Sequence, residues 1–260
     1  MITESKFSCM RDSFTIRGTV YADDAADEKK VPVIICHGFT ADMKRTAPYG
    51  KYLAEKGFRA FTFDFCGGGF ETVSDGDFHT DMTPMTEVED LKCVMDYVKQ
   101  RDDVYSDKLI LMGCSQGGFV SSLTAAERNT EVYALILIYP ALCIPDDARK
   151  GSMQVIRFDP ENIPDVIGEG RFRLNGEYAR SVVKMDVFRE IKGYQGPVLI
   201  IHGTGDTVVS YEYAVKASEV YTENGNDCVL HLLEDAPHGF NDEYLDQACE
   251  LIGEFTEEIL

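Results

Sequence analysis

The chain has 260 residues, 44% of them apolar, and it carries 45 acidic against 25 basic side chains for a net charge of −20. Length and apolar content suit one domain with a sizeable buried core. The charge disfavours nucleic acid and anionic membranes as partners, since both repel an acidic surface. No apolar run approaches the ~20 residues needed to span a bilayer. The opening Met1-Ile2-Thr3-Glu4-Ser5-Lys6 lacks the basic segment, apolar stretch and small-residue site of a signal peptide. The expectation is a cytoplasmic protein with no membrane partner.

Eight cysteines are present. None forms a C-x-x-C pair, so neither a disulfide framework nor a thiolate metal site is indicated. They are expected to be reduced and mostly buried, as a reducing compartment favours.

Taken in chain order, residues 7–20 alternate in polarity and predict an antiparallel hairpin at a sheet edge. Unbroken apolar runs follow at 31–36, 59–64, 108–112, 133–139, 197–201 and 228–233, each stopped by turn residues. Such runs are what parallel strands look like when both faces are covered. Between them, 46–56, 85–100, 116–126, 211–221 and 244–259 carry apolar residues at three- and four-residue steps and predict helices. The predicted class is α/β: one domain over 1–260, with a mostly parallel twisted sheet and helices on both faces.

One stretch breaks the alternation. Residues 141–195 hold several prolines, many charges and no strong strand, with one or two helices expected near 178–191. An insertion of this length after a central strand predicts a lid over a site, with surface decoration as the alternative.

Gly113-Cys114-Ser115-Gln116-Gly117 fits G-x-S-x-G, with an apolar strand before it and Gly118-Phe119-Val120 opening a helix after it. A strand that turns sharply into a helix needs glycines beside the serine, because side chains there would strike backbone. The turn also puts Ser115 at a helix N-terminus, whose dipole favours a developing anion. Ser115 is therefore the candidate nucleophile.

Of the five histidines, His238 lies in the loop Asp235-Ala236-Pro237-His238-Gly239 after the last predicted strand and is the candidate base. His37 and His202 each end a strand in a His-Gly pair and are read as shaping the backbone. His231 sits mid-strand and is read as packed. His79 lies in a loop with no assigned partner. Asp206, in His202-Gly203-Thr204-Gly205-Asp206, follows the 197–201 strand, where a carboxylate can accept the histidine Nδ1–H and hold its tautomer. Asp235 competes by closeness to His238 but lies at no strand end. The acid follows the serine by 91 positions and the histidine follows the acid by 32. Two backbone N–H donors for an oxyanion are expected from Gln116 and from Phe39 of His37-Gly38-Phe39-Thr40.

Taken together, His37-Gly38-Phe39-Thr40, Phe63-Asp64-Phe65, Met82-Thr83 leading into Glu87-Val88-Glu89-Asp90, Ser115-Gln116-Gly117-Gly118 and His202 through Val209 resemble the bacterial cinnamoyl (feruloyl) esterases. The resemblance covers nearly the whole chain. It implies the α/β-hydrolase fold and hydrolysis of carboxylic esters through a seryl acyl-enzyme, with a small-molecule ester as substrate and no metal or organic cofactor. Asp159-Pro160-Glu161-Asn162-Ile163-Pro164-Asp165 looks like a landmark of that family's lid. Aligned on it, Asp147, Gln154 and Tyr178 are the residues that the resemblance assigns to the phenolic end of the substrate. An acid, an amide and a phenol can bracket a hydroxyl in an otherwise apolar slot.

Two features depart from the family. Cys114 stands where histidine is frequent, and Cys66-Gly67-Gly68-Gly69-Phe70 is unusually glycine-rich. Both concern the surroundings of the three candidate residues rather than the residues themselves. The same three residues would serve a short-chain carboxylesterase, an acylglycerol lipase or a thioesterase, since fold does not fix substrate. The charged insert argues against long acyl chains. The lack of a dedicated second domain argues against a peptidase. A binding protein without catalysis would be expected to have lost one of the three. A homodimer is compatible with this reading.

Overall fold

The computed structural model describes residues 1–23 and 29–260. Eight strands form the main sheet: β1 (Ile2–Arg11), β2 (Phe14–Asp23), β3 (Pro32–Cys36), β4 (Arg59–Phe63), β5 (Ile110–Cys114), β6 (Ala134–Ile138), β7 (Val198–Gly203) and β8 (Cys228–Leu233). Their spatial order is β1-β2-β4-β3-β5-β6-β7-β8. Only β2 runs against its neighbours: it pairs antiparallel with β1 and with β4, and every later pairing is parallel. The hairpin at the edge is longer than residues 7–20 and extends from Ile2 to Asp23.

Five long helices cover the two faces: α1 (Met43–Glu55), α2 (Pro84–Lys99), α3 (Gln116–Glu127), α7 (Glu212–Glu223) and α8 (Asp242–Ile259). Three shorter ones, α4 (Ile144–Lys150), α5 (Glu177–Arg180) and α6 (Val187–Glu190), lie in the insert. The period-2 geometry of strands decides which residue meets which helix. Val33, Ile35, Ala134, Ile136 and Ile138 face α1 and α8 in one core cluster. Ile34, Leu135 and Leu137 face α2, α3 and α7 in the other. Both faces are therefore dry, which is why these strands read as unbroken apolar runs.

Strand β5 lies two residues further along than the 108–112 run suggested and carries Gly113 and Cys114 as its last pairs with β6. Gly113 pairs within the sheet, and its lack of a side chain lets α3 cross directly over it. A Cβ there would lie 2.2 Å from the Gly117 carbonyl oxygen.

The insert holds α4, which periodicity did not reveal, two ribbons of two-residue strands, and α5 and α6. The ribbons pair Ser152–Met153 with Ile156–Arg157 and Val166–Ile167 with Leu174–Asn175. Its apolar side chains Met153, Ile156, Leu174, Tyr178, Val182 and Ile191 are buried in the same cluster as α3. Most of its charged residues face outward, so the segment is anchored despite its polar composition. All eight cysteines are free, five of them buried. Among the described residues, no helix is long and apolar enough to cross a membrane.

Candidate active site

Ser115 stands between β5 and α3 with φ 54° and ψ −118°. A non-glycine residue in this region costs of order 1–3 kcal/mol and persists only where its surroundings hold it. Three glycines leave room for that hold. A Cβ on Gly117 would lie 2.5 Å from the His37 carbonyl oxygen, and one on Gly118 would press 2.9 Å from Pro140 Cβ. A Cβ on Gly38 would come 3.0 Å from Ser115 Cβ, so the 37–40 loop passes directly beside the serine.

The structure brings the three separated residues together. Ser115 Oγ lies 2.9 Å from His238 Nε2, and His238 Nδ1 lies 2.7 Å from Asp206 Oδ2. Asp206 is held from four directions: the Val208 and Val209 amides donate to Oδ1 at 2.8 and 2.9 Å, while His202 Nε2–H and His238 donate to Oδ2. Burial alone would raise the Asp206 pKa. The donors from His202, His238 and Val209 outweigh it and hold the carboxylate well below its ordinary range. Asp235, the competing acid, lies outside this constellation, and its amide donates to Thr204 Oγ1. The Tyr139 ring packs on His238 with centroids 4.8 Å apart, which limits the orientations open to the imidazole.

The other histidines divide as follows. His37 is buried, with Nδ1 2.9 Å from the Gly38 carbonyl and Nε2 accepting from the Phe65 amide at 3.1 Å. Burial lowers its pKa and favours the neutral ring. It braces the loop beside Ser115, as read from sequence. His202 also braces backbone, through the Val209 carbonyl at 3.1 Å, but its contact with Asp206 was not foreseen. His231 is only half-buried on the edge strand. His79 does have a partner, since its Nδ1 meets the Arg173 carbonyl at 2.6 Å.

Among the described residues, neither the Phe39 amide nor the Gln116 amide donates to a protein acceptor. Gln116 opens α3, where helix geometry leaves the amide without an intrahelical partner. The glycine-rich loop also has a structural reason. Gly69 bridges to Thr40, and a Cβ on it would sit 2.0 Å from the Ala41 carbonyl oxygen. A loop with side chains at that position could not lie so close to the 38–41 segment. Cys114 is buried against Tyr139, and burial pushes its thiol up to about 12, so it is an inert packing group.

Two cavities meet at Ser115. A slot of about 60 Å³ is lined by Phe39, Ala141, Ile144, Ile156 and Val209 on its apolar walls, and by Asp147, Gln154 and Tyr178 among its polar groups. A groove of about 880 Å³ on the other side contains both Ser115 and His238. All three insert residues singled out in the sequence therefore line the slot. Asp147, on α4, has its pKa raised by burial despite the Cys143 thiol and Lys150 nearby. Gln154 sits at a ribbon turn with φ 52° and borders both cavities. Tyr178, on α5, is buried, and its hydroxyl donates to Gln116 Oε1.

Glu87 was missed as a site residue. Gln116 Nε2 donates to its Oε2 at 2.8 Å, so Tyr178, Gln116 and Glu87 form one buried chain from the insert to α2. Burial raises the Glu87 pKa well above the ordinary carboxyl value, against the Gln116 hydrogen bond. The available signal was its position. Glu87 falls in step with Leu91, Val94 and Val98 on the buried face of α2, where a carboxyl needs a partner. Among the described residues, no group of three or more His, Cys, Asp or Glu side chains is placed to hold a metal ion.

Residues 27–167 match the sequence family Hydrolase_4, serine aminopeptidase S33. The chain belongs to that family. Est1E from Butyrivibrio proteoclasticus, solved with ferulic acid bound, is 32% identical with a TM-score of 0.88, over 97% of this chain and 98% of that one. The Pyrococcus furiosus esterase Pf2001 shares the fold at 18% identity and a TM-score of 0.74, over 99% of this chain and 93% of that one. The uncharacterized protein YfhR of Salmonella typhimurium is 27% identical over 196 residues, 71% of this chain. The match spans 57% of the length of that curated relative. The α/β-hydrolase fold and the likeness to bacterial feruloyl esterases expected from the sequence both stand.

Proposed function

We propose that the chain hydrolyses carboxylic esters through an acyl-enzyme on Ser115, and that its acyl groups are hydroxycinnamates. The observation that carries the chemistry is the continuous line from Ser115 Oγ through His238 to Asp206, at 2.9 and 2.7 Å. Ser115 Oγ attacks the ester carbonyl as His238 Nε2 takes its proton, and Asp206 stabilises the imidazolium. The Phe39 and Gln116 amides hold the oxyanion in a position that no protein acceptor competes for. His238 then returns the proton to the departing alcohol, and water repeats the sequence on the acyl-enzyme.

The two cavities give the substrate a direction. The leaving alcohol must lie on the His238 side to receive its proton, so it occupies the groove. The acyl group occupies the slot. Apolar walls suit a planar aromatic acyl chain, and Asp147, Gln154 and Tyr178 supply the polar groups for its hydroxyl. The similarity to Est1E, solved with ferulic acid, supports the same substrate class, and residues 141–195 act as the lid that shapes the slot.

The test compares kcat/KM for methyl ferulate, p-nitrophenyl butyrate, a long-chain glyceride and an acyl-thioester under one set of conditions. Methyl ferulate is expected to lead. A lead by any of the others would remove the hydroxycinnamate reading while leaving the acyl-transfer mechanism in place.

A further inference from the structure

Glu87 stands where the segments carrying the Gln116 and Phe39 amides meet. Towards α3, its Oε2 accepts from Gln116 Nε2 at 2.8 Å, and Gln116 Oε1 accepts from the Tyr178 hydroxyl. Both ends of the Gln116 amide are therefore held. Towards β3, a Cβ on Gly68 would lie 3.1 Å from His37 Cε1 and 3.2 Å from Glu87 Oε1. The imidazole edge and the carboxyl thus close on the same glycine. His37 Nε2 accepts from the Phe65 amide, so its proton lies on Nδ1 and is donated to the Gly38 carbonyl at 2.9 Å. That carbonyl shares a peptide unit with the Phe39 N–H, and a planar unit fixed at one end is fixed at the other.

No counter-charge accompanies this carboxyl. Glu87 is 1% exposed, and its Oε1 has no hydrogen-bond partner among the described residues. The titratable groups around it are Asp90 on its own helix, Cys36 and His37 at the end of β3, and Tyr178 on α5. Gln116 on α3 is a neutral amide. Burial keeps the Cys36 thiol and the Tyr178 phenol protonated and the His37 ring neutral. Asp90 pairs with Arg11 at 2.5 Å. A carboxylate in such surroundings would be buried without compensation, so burial keeps the proton on Glu87.

We infer that Glu87 is a positioning residue for the oxyanion donors: through Gln116 and His37 it holds the two segments that carry the Gln116 and Phe39 amides, and it does so without charge. This rests on the reading of Ser115 as nucleophile and of those two amides as oxyanion donors. An apolar side chain at this position would leave Gln116 Nε2 without its acceptor, at the cost of a buried unpaired donor. A carboxylate would fail for a different reason. One side chain behind Gln116, it would oppose the negative charge that grows on the carbonyl oxygen during attack, where little water screens it. A protonated acid supplies the acceptor and avoids the charge.

The test compares wild type, Glu87→Leu and Glu87→Gln on p-nitrophenyl butyrate, a substrate that leaves the hydroxycinnamate reading aside. Leu removes the acceptor, and Gln keeps it without charge. Glu87→Leu is expected to lower kcat about tenfold at unchanged KM. It should weaken inhibition by butaneboronic acid, whose tetrahedral adduct places an oxygen at the oxyanion position, by a similar factor. Glu87→Gln should recover most of both losses. In the wild type, kcat should fall at alkaline pH as Glu87 ionises, and Glu87→Gln should lack that fall. Where Glu87→Leu does not fold, the pH profiles of the other two proteins decide. A raised KM with constant kcat in Glu87→Leu, an unchanged boronate affinity, or coincident pH profiles for wild type and Glu87→Gln overturns the inference. Retained hydrolysis in Ser115→Ala would overturn the nucleophile reading and this inference with it. Loss of hydrolysis in Ser115→Ala beside wild-type kcat in Glu87→Leu would overturn this inference alone.

Discussion

His202 and His238 converge on a single oxygen, Asp206 Oδ2, from 3.1 and 2.7 Å. One is fully buried at the end of β7 and the other lies in the loop after β8. The carboxylate is thus fixed by a histidine that lines neither cavity at Ser115. His202 is a positioning residue: it aims Asp206, which aims His238. Replacing His202 with Leu removes one hydrogen bond to a charged group, worth about 1.5–3 kcal/mol. We expect kcat to fall roughly tenfold or more at unchanged KM, with Gln at this position restoring most of it by supplying an amide donor. A rise in KM with constant kcat would show that His202 acts on substrate binding instead.

Asp206→Asn tests the next link. It keeps the volume but lets the imidazole adopt the wrong tautomer, and kcat is expected to fall by about four orders of magnitude with little change in thermal unfolding. Asp235→Asn should leave kcat within a factor of two, because Asp235 stands outside the site.

The elbow itself can be probed through Gly113. An alanine there would put Cβ 2.2 Å from the Gly117 carbonyl oxygen, forcing α3 away from β5. The expected cost is about 1–3 kcal/mol of stability, the range for overpacked sites. Catalysis should fall as well, since Ser115 and the Gln116 amide move together. A variant with wild-type melting temperature and wild-type rate would show that the close approach of α3 is not needed.

Glu87 gives a pH signature. Its folded pKa is raised well above the ordinary 4.5 by burial. A raised carboxyl binds its proton more tightly in the folded state, so its contribution is fully present below pH 4.5 and is lost as pH rises towards the folded value. Glu87→Gln keeps an acceptor for Gln116 Nε2 and cannot ionise. The variant should therefore gain stability relative to wild type as pH increases above about 4.5, measured by denaturant unfolding across pH. A stability difference independent of pH would mean that Glu87 titrates normally.

Tyr178 links substrate choice to this buried chain. Tyr178→Phe removes the hydroxyl that donates to Gln116 Oε1 and lines the slot. The expected result is a loss of about tenfold in kcat/KM on methyl ferulate with a smaller loss on p-nitrophenyl butyrate, as one polar contact in a closed pocket allows. Equal losses on both would assign Tyr178 to positioning of Gln116 alone.

The legible parts of the fold were those written in contiguous residues. Runs such as Val33-Ile34-Ile35-Cys36 revealed buried parallel strands because both faces are covered. Gly113 and Gly117 revealed the elbow because backbone atoms pass within 2.2–2.6 Å of where their side chains would stand. The boundary of β5 was misplaced because Gly113 looks like a strand terminator, whereas here it is the residue that lets α3 pack. Within the insert, two-residue ribbons are too short for any period to show. The chain Tyr178–Gln116–Glu87 joins α5, α3 and α2 across 62 and 29 positions. No local pattern encodes such a contact, and a carboxyl among the apolar positions of α2 was its only trace.

The most direct test of the central claim is single-site loss at Ser115. Ser115→Ala should fold as wild type and lower kcat for a p-nitrophenyl ester by about four to six orders of magnitude. In parallel, a fluorophosphonate probe should label the wild type at Ser115 and leave the variant unlabelled. Near wild-type hydrolysis by the purified variant, or a folded wild type that resists the probe, would contradict the account.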